Sequence, residues 1–347
     1  MKPLKIALFY DWLNQWGGAE RVLLDLHHLY PDAPIYTLIH DPAKTPWLNN
    51  AKIITPKLQL KFPPLYPILA EQFDFSTYDI VISTTSYFGH CLLTLPKTMF
   101  ICYCHTPNRY VWQKDFLKFY RSVDLIYSNR PDYFLAGSQN SQHRIKKYYG
   151  RDSTIVYPGI DLKKFIPNTK YLIPDTKYFL VVSRLVPHKN IDLAIRTCHQ
   201  LKQKLLIVGT GRHQKYLQSI NSPHVTFLGQ VSEKKLISLY QNCLALICPQ
   251  TEDFGLTPLE CQACGRPVIA YDQGGITETV IDQKTGIFFD QSTIDSLVSA
   301  INQFNSLSFK PSDCIAQSQK FSQSNFMLNF KSAVEDLWTK YQTITTF

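Results

Sequence analysis

Two glutamates eight positions apart stand in the segment Thr251-Glu252-Asp253-Phe254-Gly255-Leu256-Thr257-Pro258-Leu259-Glu260. The segment follows an apolar run, Leu244–Cys248, and opens a helical pattern. Thr257 reads as the N-cap, Pro258 as the first helical residue and Glu260 as the third, a Thr-x-x-Glu capping box. Gly265 then ends the helix and Pro267 begins the next strand. A helix start of this kind offers backbone N–H groups to an anion. Capping accounts for Glu260 but leaves Glu252 unexplained, an acidic side chain in a glycine-containing loop. Two carboxylates straddling a helix N-terminus can accept hydrogen bonds from vicinal hydroxyls on two sugar rings.

Three further segments follow apolar runs. Ser183-Arg184-Leu185-Val186-Pro187-His188-Lys189-Asn190 brings two cations into one loop, and Asn190 can cap the next helix. The bland reading of Arg184 and Lys189 is a pair of surface charges beside a turn. Gly17-Gly18-Ala19-Glu20 follows the first apolar run. Without a side chain, Gly18 lets backbone N–H groups approach an anion; the plain alternative is a glycine turn into a helix. Cys104-His105-Thr106-Pro107-Asn108-Arg109-Tyr110 sets a histidine at a strand end.

Together these segments resemble glycosyltransferase family 4, whose members retain anomeric configuration and have the GT-B fold. Glu252 and Glu260 match the family's Glu-x7-Glu motif. The resemblance implies that Glu252 holds hydroxyls of the transferred hexose and Glu260 those of the nucleotide ribose. It implies that the Gly255-Leu256-Thr257 backbone lies against sugar and diphosphate, and that Arg184 and Lys189 neutralise the departing diphosphate. Gly17 and Gly18 match the family's Gly-Gly-x-Glu loop at the diphosphate, and Val231, in Phe227-Leu228-Gly229-Gln230-Val231, would border the base. His-Thr-Pro-x-Arg-Tyr is similar to a subgroup that includes mannosyltransferases of surface-polysaccharide pathways. By that likeness His105 lies beside the donor sugar, and Arg109 and Tyr110 face the acceptor. The resemblance runs nearly the whole chain in the family's order. Arg266 departs from it, where many members carry an apolar residue, and that bears on local packing.

The elements that must position these residues are legible as period. Short β-branched runs at Lys5–Tyr10, Ile35–Ile39, Asp79–Ser83, Met99–Tyr103 and Tyr133–Ala136 alternate with helical patterns such as Ala19–His28. The pattern restarts with Tyr178–Ser183, Lys204–Val208, Val225–Leu228, Leu244–Cys248, Pro267–Tyr271 and Gly286–Phe289. Such runs separated by helices indicate parallel sheets covered on both faces. The expected fold is α/β, GT-B, with two doubly wound Rossmann-like domains facing a cleft. Residues 1–164 form the acceptor-side domain and 165–324 the nucleotide-sugar domain. Residues 325–347 form a helix that packs back on the first. The join is a Pro- and Lys-rich stretch, Lys163–Thr176.

Composition narrows the class. Hydrophobic residues at 45% against charged residues at 18% suit a folded, core-rich chain. The net charge of +9 leans to residues 1–164, which carry 19 Lys+Arg against 13 Asp+Glu, with Arg144, Lys146, Lys147 and Arg151 close together. That suits an anionic partner such as a bilayer or a phosphorylated substrate, or is a solvated helix face. No recognition helix or stacking platform for nucleic acid stands out. Nine cysteines without a leader-like segment read as reduced thiols in a cytosol. Cys243, Cys248, Cys261 and Cys264 contain a CxxC but flank a strand and a helix rather than knuckles, so no metal site is expected. No Asp-x-Asp occurs, so the expected chemistry is metal-independent and cofactor-free. Gly209-Thr210-Gly211-Arg212 lacks a third glycine for dinucleotide binding.

The expected partners are a nucleotide-sugar donor, with GDP-mannose favoured by the subgroup, and a glycan or lipid-linked acceptor. The apolar, basic stretch Lys57–Phe73 would lie on an anionic membrane or pack as an acceptor lid. The expected place is the cytoplasm, peripheral on the inner face of the plasma membrane. The rival readings are a non-catalytic nucleotide-sugar-binding regulator, and an epimerase or phosphorylase on the same fold.

Overall fold

The computed structural model describes residues 4–49, 51–58, 62–112, 119–167 and 178–345. The chain divides into two units, one of Met1–Pro158 with Ser324–Phe347, the other Gly159–Gln323. Residues 168–176 of the expected join and Leu60 of the apolar stretch lie outside the described residues. Lys163–Pro167 belong to the second unit, where Lys164 pairs with Glu233 at 3.2 Å and buried Phe165 meets the Tyr240 ring.

The first unit holds seven parallel strands, β1 (Ile6–Leu13), β2 (Ile35–His40), β3 (Ile53–Ile54), β4 (Ile80–Thr85), β5 (Met99–Cys104), β6 (Tyr133–Ala136) and β7 (Ser153–Ile155). Their order is β3-β2-β1-β4-β5-β6-β7. The second unit holds β8 (Phe179–Val182), β9 (Leu205–Val208), β10 (Val225–Gly229), β11 (Leu246–Cys248), β12 (Val268–Tyr271) and β13 (Gly286–Phe289). Their order is β10-β9-β8-β11-β12-β13, again all parallel. Every strand expected from an apolar run is present, with ends displaced by a few residues at most. The two short edge strands β3 and β7 lack such a run, because an edge strand of two or three residues needs no buried face on both sides.

Both sheets are doubly wound, and each reverses direction once, between β1 and β4 and between β8 and β11. In such sheets ligands bind outside the carboxyl ends of the strands at that reversal. The helix Gly18–Leu29 buries Val22, Leu23 and Leu26 on one stripe against the first sheet. The closing helix Gln323–Thr345 belongs to the first unit's core. Phe326, Phe330 and Val334 recur every fourth residue, so they share one face, and they pack among Leu8, Ile82, Ile101 and Tyr103. Burying each of these aromatic or branched side chains contributes about 1.5–3 kcal/mol.

The basic cluster resolves into local structure. Arg151 donates to the carbonyls of Ser128, Pro131 and Asp132, Lys146 pairs with Asp152 at 2.8 Å, and Lys147 lies over the Tyr148 ring. Lys146 and Lys147 also end the helix Gln139–Tyr149, where cations complement the dipole.

Candidate active site

The loops that leave β8 and β11 meet at the second sheet's reversal. Lys189 closes a short 3-10 turn, Pro187–Lys189, and its Nζ donates to Glu252 Oε1 at 2.6 Å. The two side chains are 13% and 21% exposed, so the pair is largely shielded yet still reachable. Gln250 Nε2 donates to the same oxygen at 2.6 Å. Arg184 begins the same loop and is exposed. The loop is pinned from below: Leu185 is fully buried, and its N–H donates to the Thr210 carbonyl at 2.9 Å. A Cβ on Gly209 would come within 1.9 Å of the Ser183 carbonyl oxygen, and one on Gly211 within 2.2 Å of that of Leu185. Gly209-Thr210-Gly211 is thus a packing surface for the Arg184 loop.

The Glu252 loop is fixed through its backbone. Gly275 N–H donates to the Glu252 carbonyl at 2.8 Å, and Gly274 sits at φ 85° with Glu252 as its bridge partner. A Cβ on Gly274 would lie 2.3 Å from the Glu252 carbonyl oxygen. No side chain fits there, which explains Gly274-Gly275.

The expected capping box is not formed. The helix runs Leu256–Ala263 with Gly255 as N-cap at φ 101°, and no side chain caps it. A glycine in the left-handed region turns the chain into the helix at once, so the helix starts two residues before the position read from Thr257. Thr257 instead bonds the Cys248 thiol, whose pKa is pushed up by burial and then by Glu252. Glu260 falls in the second turn, fully buried, with Tyr240 Oη donating to its Oε2 at 2.8 Å. Contact between Glu260 and a ligand hydroxyl therefore requires that side chain or its cover to move. Gly265 does end the helix, at φ 78°, as read. Asn190 precedes the helix Ile191–Gln200 but does not cap it; it takes φ 48°, and its amide reaches the Pro249 carbonyl and Ser292 Oγ at 3.5 Å. Gly255, Leu256 and Thr257 stay half-buried at the helix start. Val231 lies at the same carboxyl end, past β10, two strands out from Lys189.

In the first unit the loops after β1, β4 and β5 share one carboxyl edge. Gly17 is the N-cap of the helix Gly18–Leu29, in extended conformation. Glu20, the last residue of that motif, turns inward and accepts from Tyr10 Oη at 2.7 Å and Gln15 Nε2 at 2.9 Å. Burial, then Glu20, holds the Tyr10 phenol well above its ordinary pKa. His105 follows β5, half-buried, with Nε2 2.9 Å from Thr84 Oγ1. Its backbone N–H donates to the Thr85 carbonyl and its carbonyl accepts from Ser141 Oγ. Arg109 and Tyr110 open the short helix Arg109–Trp112, and Tyr110 lies 5.0 Å from the Tyr87 ring.

Several supporting residues carried no signal in the sequence. Asp124, 1% exposed, accepts from Trp112 Nε1 at 2.7 Å and Asn108 Nδ2 at 3.4 Å, so it brackets Arg109 and Tyr110. It also pairs with buried His90 at 3.0 Å. Burial opposes the His90 charge, but Cys91 and Asp124 raise its pKa well above the ordinary value. Asp11, at the end of β1, gathers bonds from Thr85 Oγ1 and the Ser86 and Phe88 N–H groups, and burial still raises its pKa. Thr84, Tyr240 and Gln250 complete the set. Their partners are distant in sequence or lie in irregular loops, where no period betrays them.

All nine cysteines are free and buried, with Cys243 and Cys261 Sγ atoms 4.0 Å apart. Among the described residues no group of three or more His, Cys, Asp or Glu side chains could hold a metal ion.

Comparison with known proteins identifies the family and the fold. The family model described as Glycosyltransferase Family 4 matches residues 16–164, and that described as Glycosyl transferases group 1 matches residues 163–321. The chain is 27% identical to alpha-1,3/1,6-mannosyltransferase ALG2 of Mus musculus, covering 80% of this chain and 82% of that protein. It is 29% identical over 192 residues to the GDP-mannose-dependent alpha-(1-6)-phosphatidylinositol monomannoside mannosyltransferase of Mycolicibacterium smegmatis, covering 47% and 50%. Among solved structures, Anabaena Alr3699/HepE in complex with UDP and glucose superposes with a TM-score of 0.77 at 20% identity, covering 96% of this chain and all of that one. Sucrose-phosphate synthase from Thermosynechococcus elongatus gives 0.77 at 17% identity, covering 97% and 100%. With both Rossmann-like halves matched in order by the family's two models, the chain belongs to the family 4, group 1 glycosyltransferases of GT-B fold.

Proposed function

We propose that this glycosyltransferase moves mannose from a GDP-linked donor to a glycan or lipid-linked acceptor, with retention at the anomeric carbon. The observation that carries the reading is the Lys189–Glu252 pair at the reversal of the second sheet. A cation suited to a diphosphate and a carboxylate suited to sugar hydroxyls lie 2.6 Å apart there, above a helix start. The relatives named as GDP-mannose-dependent support the donor; a neighbour of the same fold bound to UDP keeps the other base in the test.

In this reading the bond between anomeric carbon and diphosphate oxygen breaks, and the diphosphate keeps the electron pair. Lys189, Arg184 and the N–H groups at Gly255–Thr257 stabilise that charge, as does the Gly17–Gly18 helix start. Glu252 and His105 hold the oxocarbenium-like hexose, Glu260, once its cover moves, takes the ribose hydroxyls, and Val231 borders the base. The acceptor hydroxyl, steered by Arg109 and Tyr110, attacks from the same face. Its proton passes to a donor phosphate oxygen, so neither a protein base, a metal nor a cofactor is required.

The acceptor end of the reaction is proposed to work against the inner face of the plasma membrane, with the protein peripheral and cytoplasmic. No described helix is long and apolar enough to cross a membrane. Within Lys57–Phe73, Tyr66 and Leu69 are core, whereas Leu58, Phe62 and Ile68 are more than half exposed. The helix Arg121–Tyr127 and its start add Phe119 and Ile126, 75% and 66% exposed, and Tyr120 Oη ties them to the Pro64 carbonyl at 3.2 Å. Exposed apolar side chains of this kind favour a lipid surface.

A thermal-shift panel of GDP, UDP, ADP, NAD and a short oligonucleotide, with and without EDTA, tests the donor. A ligand that binds only the native state raises Tm. A shift with GDP undiminished by EDTA is expected; shifts confined to NAD or the oligonucleotide would overturn the reading. Glu252→Ala should abolish turnover in a protein that still folds, its Tm lowered by several degrees as Lys189 loses its partner, and the product's anomeric proton signal reports retention.

A further inference from the structure

We infer that Gln250 is a sugar-recognising residue of the donor site, acting on the hexose both through Glu252 and with its own carbonyl. The inference rests on the reading of Glu252 as the hexose-holding carboxylate. Gln250 lies two residues before Glu252, in the loop that leaves β11, and only 2% of its surface is exposed. Its Nε2 donates to Glu252 Oε1 at 2.6 Å, which fixes the amide orientation, because a carboxylate oxygen accepts only from the nitrogen side. The Lys189 ammonium approaches the same carboxylate oxygen. Glu252 is therefore held at one oxygen by two donors from two loops.

The other end of the Gln250 amide is the informative one. Its Oε1 is buried and has no hydrogen-bond partner among the described residues. Buried acceptors are almost always satisfied, and an orphan is costly enough to need a reason. A carbonyl acceptor beside a hydroxyl-binding carboxylate is suited to one further hydroxyl donor, which reaches it once the cover over Gln250 moves, as Glu260 also requires. A hexose offers several, and a bare nucleoside diphosphate brings none to that position. Gln250 thus adds to the affinity for the sugar and not to that for the nucleotide. Gln262 and Gln317 also leave a buried Oε1 unpaired among the described residues, but their Nε2 groups go to the Thr279 carbonyl; of the three, Gln250 alone turns its nitrogen to the Glu252 carboxylate.

The test measures dissociation constants of GDP and GDP-mannose, and of UDP and UDP-glucose, by calorimetry without acceptor, together with Tm. Gln250→Met keeps the side-chain length and removes both polar ends. The expected result is GDP or UDP affinity within twofold of wild type, and nucleotide-sugar affinity reduced at least tenfold. Tm should be unchanged or higher, because an unsatisfied carbonyl has gone. An unchanged ratio of nucleotide-sugar to nucleotide affinity would overturn the inference. So would a parallel fall of both affinities with Tm, which is the mark of a structural residue. Glu252→Gln separates the two levels. If Glu252→Gln alters the ratio and Gln250→Met does not, this inference fails alone. If neither alters it, or wild type binds none of the four ligands, the donor-site reading fails with it.

Discussion

Lys189→Met is the sharpest perturbation of the second unit, because the proposed role gives Lys189 a different partner once donor binds. In the ligand-free protein it pairs with Glu252 at 2.6 Å, where an effective dielectric near 20 gives a gross attraction of about 6 kcal/mol. Most of this is offset by the loss of hydration. For a pair 13% and 21% exposed, deleting one partner should cost about 1–3 kcal/mol, between the surface and fully buried cases. At about 2–4 °C per kcal/mol for a domain of this size, Tm should fall by several degrees. The double variant Lys189→Met/Glu252→Gln should recover part of that loss, since no unpaired carboxylate remains. With donor present, the ammonium is proposed to serve the diphosphate. Losing one charge-assisted hydrogen bond of about 1.5–3 kcal/mol predicts roughly ten- to hundredfold weaker GDP binding. Calorimetry with GDP and UDP, beside melting curves of the two single variants and the double one, reads both quantities. Nucleotide affinity within twofold of wild type in Lys189→Met would refute the diphosphate role. Strict additivity of the Tm changes would refute the energetic coupling of the pair.

Gly274→Ala should weaken nucleotide-sugar binding at least tenfold, because the new Cβ must push on the Glu252 carbonyl 2.3 Å away at a φ of 85°; left-handed strain alone is about 1–2 kcal/mol. Unchanged calorimetric affinity would show that the Glu252 backbone is not what positions its carboxylate. His90→Gln tests the buried ion pair with Asp124. The folded pKa of His90 is raised, so its contribution is fully present below the unfolded value near ~6.5 and is lost as pH rises through the folded pKa. The Tm difference between wild type and His90→Gln should therefore be largest at low pH and shrink as pH rises; a constant difference would mean the pair carries no linked proton. Phe62→Ser/Ile126→Ser should abolish flotation with phosphatidylglycerol vesicles if these exposed side chains meet the bilayer. Equal flotation of variant and wild type, or none by wild type, would remove the membrane from the proposal.

The fold was written in local period. Near-continuous β-branched runs alternating with helical stripes can be buried only as parallel sheets covered on both faces, and all eleven such runs became strands. The close backbone approaches of Gly209 to Ser183, Gly211 to Leu185 and Gly274 to Glu252 were not read from the sequence, because the partner backbone lies in another loop. The sequence also marked the loops that hold Glu252, Lys189 and His105, since motif spacing is a one-dimensional property. It could not tell that Thr257 would leave its cap, because the helix start depends on Gly255 taking φ 101°. Nor could it say that Glu260 would turn to Tyr240, that Lys189 would pair with Glu252 across 63 residues, or that Gln250 would lend its amide to the same oxygen. Those contacts depend on which strands lie side by side at the sheet reversal. Strand order is set by the packing of the whole domain, which no local window of residues contains.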